Sequence, residues 1–328
     1  MSFDLRSKSG PPRGPKASAV RSLVSLTATA AMGWSVSPTV AGTTPNDYAA
    51  KVISSYQGSG LPANYFNASS STLGPPELVS GVGTIYPNVV DPFSPAFGNK
   101  DIFEIGKGGQ ITLQLSKAFT VANAPQLGII SNVGLIDEDY PAGKASGTAS
   151  IFGGGIADVR VSSNAKTWVD LGNITFNIPT SSYTKLGNPY EAAPTKSDVE
   201  SNFGKPFTGK LSNFDNETLA QALKTLNDSV GGTWLNVFGT KLKTVDYIQI
   251  RNPLGQPWTP GNPVRLAIDG VTVSTVPSVG GANPNGPGGT ASGAGTSTVP
   301  LPAAAPAGLA MFLAAGAWQA LRRKFARI

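Results

Sequence analysis

The chain has 328 residues, 40% of them hydrophobic and only 13% charged, with 39 Gly and 27 Pro, no Cys and no His. That composition suits short strands joined by many turns better than a helical bundle. It excludes a disulfide framework, thiolate or imidazole metal sites, and the Ser–His and Cys–His nucleophile pairs. The formal charge of +6 lies at the ends: five cations (Arg6, Lys8, Arg13, Lys16, Arg21) precede the first apolar run and four (Arg322, Arg323, Lys324, Arg327) close the chain. The remaining 16 Lys and Arg face 18 acids, so the body is slightly acidic and lacks the electrostatic footprint of a nucleic-acid partner.

Residues 1–41 begin cationic, continue through a modest apolar run from Leu23 to Val36 and end on Thr39-Val40-Ala41. A positive start, a short apolar core and small exit residues predict a secretory signal peptide cleaved after Ala41. The segment Tyr48–Tyr56 reads as a helical turn or a first strand, followed by Gly- and Pro-rich turns to Pro76. Gln110 to Leu115 alternates polar and apolar residues, which places Ile111, Leu113 and Leu115 on one face of a strand. Leu127 to Ile136 predicts another strand, with Gly128 and Gly134 as candidate bulges. In Ala157 to Trp168, Val159 and Val161 point inward, Ser163-Asn164-Ala165 turns the chain, and Trp168 opens the return strand. There Trp168 is expected to serve as the apolar anchor of the hairpin, with a sugar platform as the alternative.

Residues 179–230 interrupt this β rhythm and are read as a helical insertion. Within it Asp215 to Leu226 predicts a helix, with Asp215 as cap and Leu219, Leu223 and Leu226 on one face. Its single apolar stripe is too small for a separate core. Strands resume at 233–237, 245–251 and 264–273, and residues 278–298 form a Gly-rich, uncharged linker with a root-mean-square reach of roughly 25 Å. The expected body is therefore an all-β domain over 42–277, an antiparallel β-sandwich carrying a helical insertion.

The chain closes on Val299-Pro300-Leu301-Pro302-Ala303, a weakly apolar stretch to Leu321 and the basic cluster. Nineteen residues would span roughly 28 Å as a helix, close to a hydrocarbon core of about 30 Å. This tripartite pattern resembles the PEP-CTERM sorting signals of bacterial surface proteins, in the VPLPA variant. The resemblance covers about a tenth of the chain. It implies export, transient membrane anchoring through a single hydrophobic helix, and processing by an exosortase-like transpeptidase; a permanent anchor is the alternative. Leu73-Gly74-Pro75-Pro76-Glu77 resembles the opening of some secreted β-sandwich domains. The Val159–Trp168 hairpin is similar to one in galactose-binding-like, discoidin-type jelly rolls, which implies an extracellular polysaccharide as ligand.

Candidate chemistry is sparse. Gly153-Gly154-Gly155 is followed by β-type sequence rather than by Lys-Ser/Thr and a helix, which rejects a phosphate loop. Among the acids, Asp137 and Asp139 lie on the same side of an extended segment and are candidate Ca²⁺ ligands, with Glu138 pointing away. Glu77 is a further candidate cation ligand, with a solvated turn carboxylate as the alternative. The sequence thus points to a non-enzymatic surface or matrix protein; a carbohydrate-active enzyme using carboxylates and a purely structural sheath component are the competing readings.

Overall fold

A computed structural model describes residues 48–61, 66–123, 126–252 and 266–274. The expected signal peptide, linker and sorting motif (Val299 to Ala303) lie outside the described residues. In chain order the strands are β1 (Ala49–Tyr56), β2 (Val79–Ser80), β3 (Asn88–Val89), β4 (Phe103–Ile105), β5 (Gln110–Thr120), β6 (Gln126–Ser131), β7 (Gly134–Leu135) and β8 (Ile151–Phe152). They continue as β9 (Gly155–Ser162), β10 (Val169–Phe176), β11 (Tyr183–Lys185) and β12 (Val199–Glu200). One helix, α1 (Leu219–Leu226), precedes β13 (Thr233–Asn236), β14 (Thr244–Arg251) and β15 (Leu266–Val273). The described chain is mostly β, built from antiparallel sheets and one helix.

Two sheets carry most of the strands, one in the order β1-β5-β14-β9-β10 and the other β13-β6-β15-β4. Alternation dictates what each contributes inward. Ile111, Leu113 and Leu115 of β5, Val159 and Val161 of β9, and Ile248 and Ile250 of β14 are all buried. They share one cluster with Leu127 and Ile129 of β6, Leu235 of β13, and Ile268 and Val271 of β15. β15 is buried along all eight residues, as its near-continuous apolar run requires. It carries a bulge between Ile268 and Gly270, at which Asp269 sits. The bridge Tyr48↔Thr272 brings the start of the body beside its last strand.

The segment 48–56 resolves as strand rather than helical turn. It is an edge strand with mostly exposed side chains, so burial imposes no alternation on its sequence. The strand expected over 127–136 divides instead into β6 and β7, which lie in separate sheets. A Cβ at Gly134 would fall 2.6 Å from both Pro95 and Phe152, so close packing excludes a side chain there.

The 179–230 segment has no core to itself. Leu219, Ala222, Leu223 and Leu226 of α1 pack with Tyr183 and Phe214 and also with Val89, Phe93, Leu135 and Ala149 from earlier in the chain. The helix starts later than expected. Thr218 is its N-cap, and the Gln221 side chain accepts the Thr218 N–H at 2.9 Å, closing a capping box. Asp215 does not cap it: that carboxylate accepts the Ala149 N–H at 2.7 Å and holds the approach to the helix against the preceding loop.

Candidate functional site

Strand register assembles a polar row on the five-stranded sheet, on the side away from its buried aliphatic residues, with Gln249 and Thr112 themselves buried. Arg160 of β9 stands opposite Gln249 of β14, which in turn stands opposite Thr112 of β5. Arg160 Nε donates to Gln249 Oε1 at 2.7 Å, and Gln249 Nε2 donates to Thr112 Oγ1 at 2.6 Å. Each link orients the next, so the amide of Gln249 cannot rotate without losing both bonds. Two residues along, Arg251 stands between Asp158 and Gln110. Its guanidinium pairs with Asp158 and has Asp170 at 3.9 Å.

The hairpin turn between β9 and β10 delivers an aromatic ring to this surface. Ser162 Oγ accepts the N–H groups of Asn164 and Ala165 at 3.1 and 3.0 Å and donates to Thr167 O at 2.6 Å. Asn164 Oδ1 accepts the N–H groups of Lys166 and Thr167, both at 2.9 Å. With these hydrogen bonds inside six residues the turn is fixed, and Trp168 leaves it in one direction. The Arg160 guanidinium lies over the Trp168 ring, 5.0 Å from its centroid, a contact worth about 0.5–1 kcal/mol at a solvent-facing site. Trp168 is therefore partly exposed and stacked on a cation, whereas the hairpin pattern predicts a core anchor. The reason is register: the apolar positions Val159, Val161 and Leu171 already fill the inner face, and Trp168 precedes β10 on the outside.

Burial and the nearby charge of Arg251 press the Arg160 pKa down, while Asp170 and Asp158 push it back up. An arginine remains cationic at neutral pH through such a shift. Sequence reasoning does not single out Arg160 or Gln249. The signal for their orientation is present in the alternation of 157–161 and 247–251, but their pairing is a matter of register between strands 89 residues apart.

No family model matches this chain, and no curated protein does.

The other predicted site residues fall elsewhere. Asp137 Oδ1 accepts the N–H groups of Asp139 (3.0 Å) and Lys144 (2.9 Å), and Oδ2 accepts from Gly143 N–H (3.0 Å) and the Tyr190 hydroxyl (3.1 Å). Both oxygens thus organise the 137–144 loop. Asp139 is exposed, and among the described residues no three acids converge closely enough to hold a metal ion. Glu77 lies against the last strand, with its backbone N–H donating to Asp269 Oδ1 at 3.1 Å. Burial first, and the charge of Asp101 second, push the Glu77 carboxyl up to about 7. Burial likewise holds the fully enclosed Asp269 well above the ordinary carboxylate range. Among the described residues no helix is long and apolar enough to cross a membrane.

Proposed function

We propose that this is an exported, non-catalytic surface protein that binds extracellular glycan through the outer face of its five-stranded sheet. In this reading the body is a jelly-roll sandwich, an arrangement supported by the single aliphatic cluster drawn from both large sheets. The observation that carries the ligand class is the ordered row Trp168–Arg160–Gln249–Thr112. Its partly exposed members, the Trp168 ring and the Arg160 guanidinium, combine an apolar surface with hydrogen-bond donors held in place by the buried Gln249 and Thr112, the mixture that a sugar's ring faces and hydroxyl edges require. Pre-organisation reduces the ordering cost of binding. The test is retention of the purified protein on immobilised polysaccharides, with Trp168→Ala compared. The variant is expected to lose at least about tenfold in affinity, which corresponds to about 1.4 kcal/mol. Retention of no polysaccharide, unchanged binding by the variant, or release of new reducing ends from the polymer overturns the reading.

Delivery to the surface rests on the tail. The exosortase-like processing implied by Val299-Pro300-Leu301-Pro302-Ala303 requires an extended substrate, and Pro300 and Pro302 keep the backbone extended and without donors. Changing both to Ala is expected to leave export intact and to trap an uncleaved, membrane-bound form. Mass spectrometry of the surface protein decides the matter. A mature C-terminus near residue 303 is the expected result, and one ending at Ile328 means a permanent anchor.

A further inference from the structure

We infer that Arg160 makes this face selective for acidic glycans by receiving the carboxylate of a uronic acid residue, an inference that rests on the glycan-binding reading above. Two arginines lie side by side on the face, and they are in different electrostatic states. Arg251 is paired with Asp158 and has Asp170 beyond it at 3.9 Å. Arg160, in contrast, makes no ion pair with a carboxylate among the described residues. Its one side-chain hydrogen bond runs from Nε to the neutral amide of Gln249. Guanidinium carries five N–H donors, so the four on the two Nη atoms remain for a ligand.

That group is held twice, by the Nε bond at one edge and by its position over the Trp168 ring. A fixed planar fork of two parallel N–H donors matches a carboxylate, whose two oxygens lie in one plane at the same spacing. Gln249 is itself held by Thr112, so Arg160 cannot turn toward a ligand of other shape without breaking the row. Asp170 stands directly opposite Arg160 on β10 and Asp158 lies two residues along β9; neither pairs with Arg160, and their charges repel any further anion around the one that the guanidinium receives. The face therefore admits a single carboxylate at one point and disfavours densely charged polymers such as sulfated chains. A uronic acid, with one planar carboxylate per sugar, has that charge spacing.

The experiment is affinity electrophoresis of the purified full chain through gels containing polygalacturonate, its methyl ester, a sulfated galactan or neutral xylan. The expected result is retardation by polygalacturonate and at least tenfold weaker binding to the ester, which keeps the sugar and removes the charge. Arg160→Gln is expected to lose tenfold or more toward polygalacturonate and to keep its weak binding to the ester. Arg160→Lys restores little, because an ammonium lacks the fork. Equal affinity for the acid and its ester in the unaltered protein overturns the inference without any variant, as does unchanged uronate binding by a folded Arg160→Gln. Tighter binding to the sulfated chain overturns it too. If neutral xylan binds as well as the uronate, selectivity fails and the glycan reading stands; if no gel retards the protein, both fail.

Discussion

Replacing Asp91 by Ala is expected to destabilise the protein by about 2–4 kcal/mol, a large fraction of the stability of an ordinary domain. Asp91 is fully buried, just beyond β3, and its carboxylate holds three backbone donors from two parts of the chain. Oδ1 accepts the N–H groups of Phe93 at 2.7 Å and Ser94 at 3.0 Å, and Oδ2 accepts the N–H of Tyr190 at 3.1 Å. Alanine leaves the Phe93 and Tyr190 N–H groups without an acceptor, whereas the Ser94 N–H keeps the Asp91 backbone carbonyl at 3.0 Å; each donor left unpaired away from water costs about 1–3 kcal/mol. Asp91→Asn is the informative companion. Its amide oxygen keeps the Phe93 and Ser94 bonds, while its NH₂ faces the Tyr190 N–H and can only repel it. That variant also removes the cost of a buried charge, so a net loss of about 1–2 kcal/mol is expected, below the alanine value. Urea unfolding monitored by tryptophan fluorescence measures both through the shift in midpoint. An alanine variant within 1 kcal/mol of the parent would show that water reaches these donors and that the carboxylate is dispensable.

The protein is expected to be more stable at pH 5 than at pH 8, the reverse of what salt-bridged carboxylates produce. Burial pushes Asp91 up to about 6, offset in part by its backbone hydrogen bonds and reinforced by the charge of Asp137. Glu77 rises to about 7, and Asp269, Glu200 and Glu217 are raised as well, each chiefly by burial. A carboxyl with a raised folded pKa keeps its proton after the unfolded chain has released its own. The folded state therefore binds more protons between about pH 4 and pH 7, and stability must fall as pH rises through that window. The penalty vanishes once pH falls well below the ordinary carboxylate values and is complete only above the raised folded values, which for Glu77 is about 7. The melting temperature at pH 8 should lie on the order of 5–10 °C below that at pH 5. Asp91→Asn should flatten the lower part of the profile and Glu77→Gln the upper part. A melting temperature that climbs from pH 5 to pH 8 contradicts the burial of these groups.

Where burial of one face governs a segment, its sequence reveals the structure. Gln110 to Leu115 alternates because β5 has one side in the core, and the 157–171 hairpin is legible for the same reason with its turn residues added. β1 was ambiguous because nothing buried disciplines an edge strand, and the short strands β2, β3, β7 and β8 are too brief to show a period. For α1, the Thr218–Gln221 capping pattern was in the sequence beside an equally good cap residue at Asp215. Local chemistry does not choose between them; the Ala149 N–H, 66 residues away, does. The candidate site lies at the same limit. Outward orientation of Arg160, Gln249 and Thr112 follows from alternation, but the row they form depends on β14 lying between β5 and β9. Asp137 shows the converse, since an acidic cluster that suggests a cation ligand serves a loop made of its own N–H groups.

Under the proposed surface attachment through the C-terminal side, the position of β15 acquires a mechanical meaning. A pull transmitted through residue 273 reaches β15 first, and that strand is hydrogen-bonded to β6 on one flank and to β4 on the other. Tyr48 adds a bridge at Thr272, close to the point where the load enters. An edge strand at this position would peel away one bond at a time. Here β6 ladders residues 268–273 and β4 ladders residues 266–268, so a load entering at residue 273 is passed from one flank to the other along a strand that is buried throughout rather than exposed at an edge.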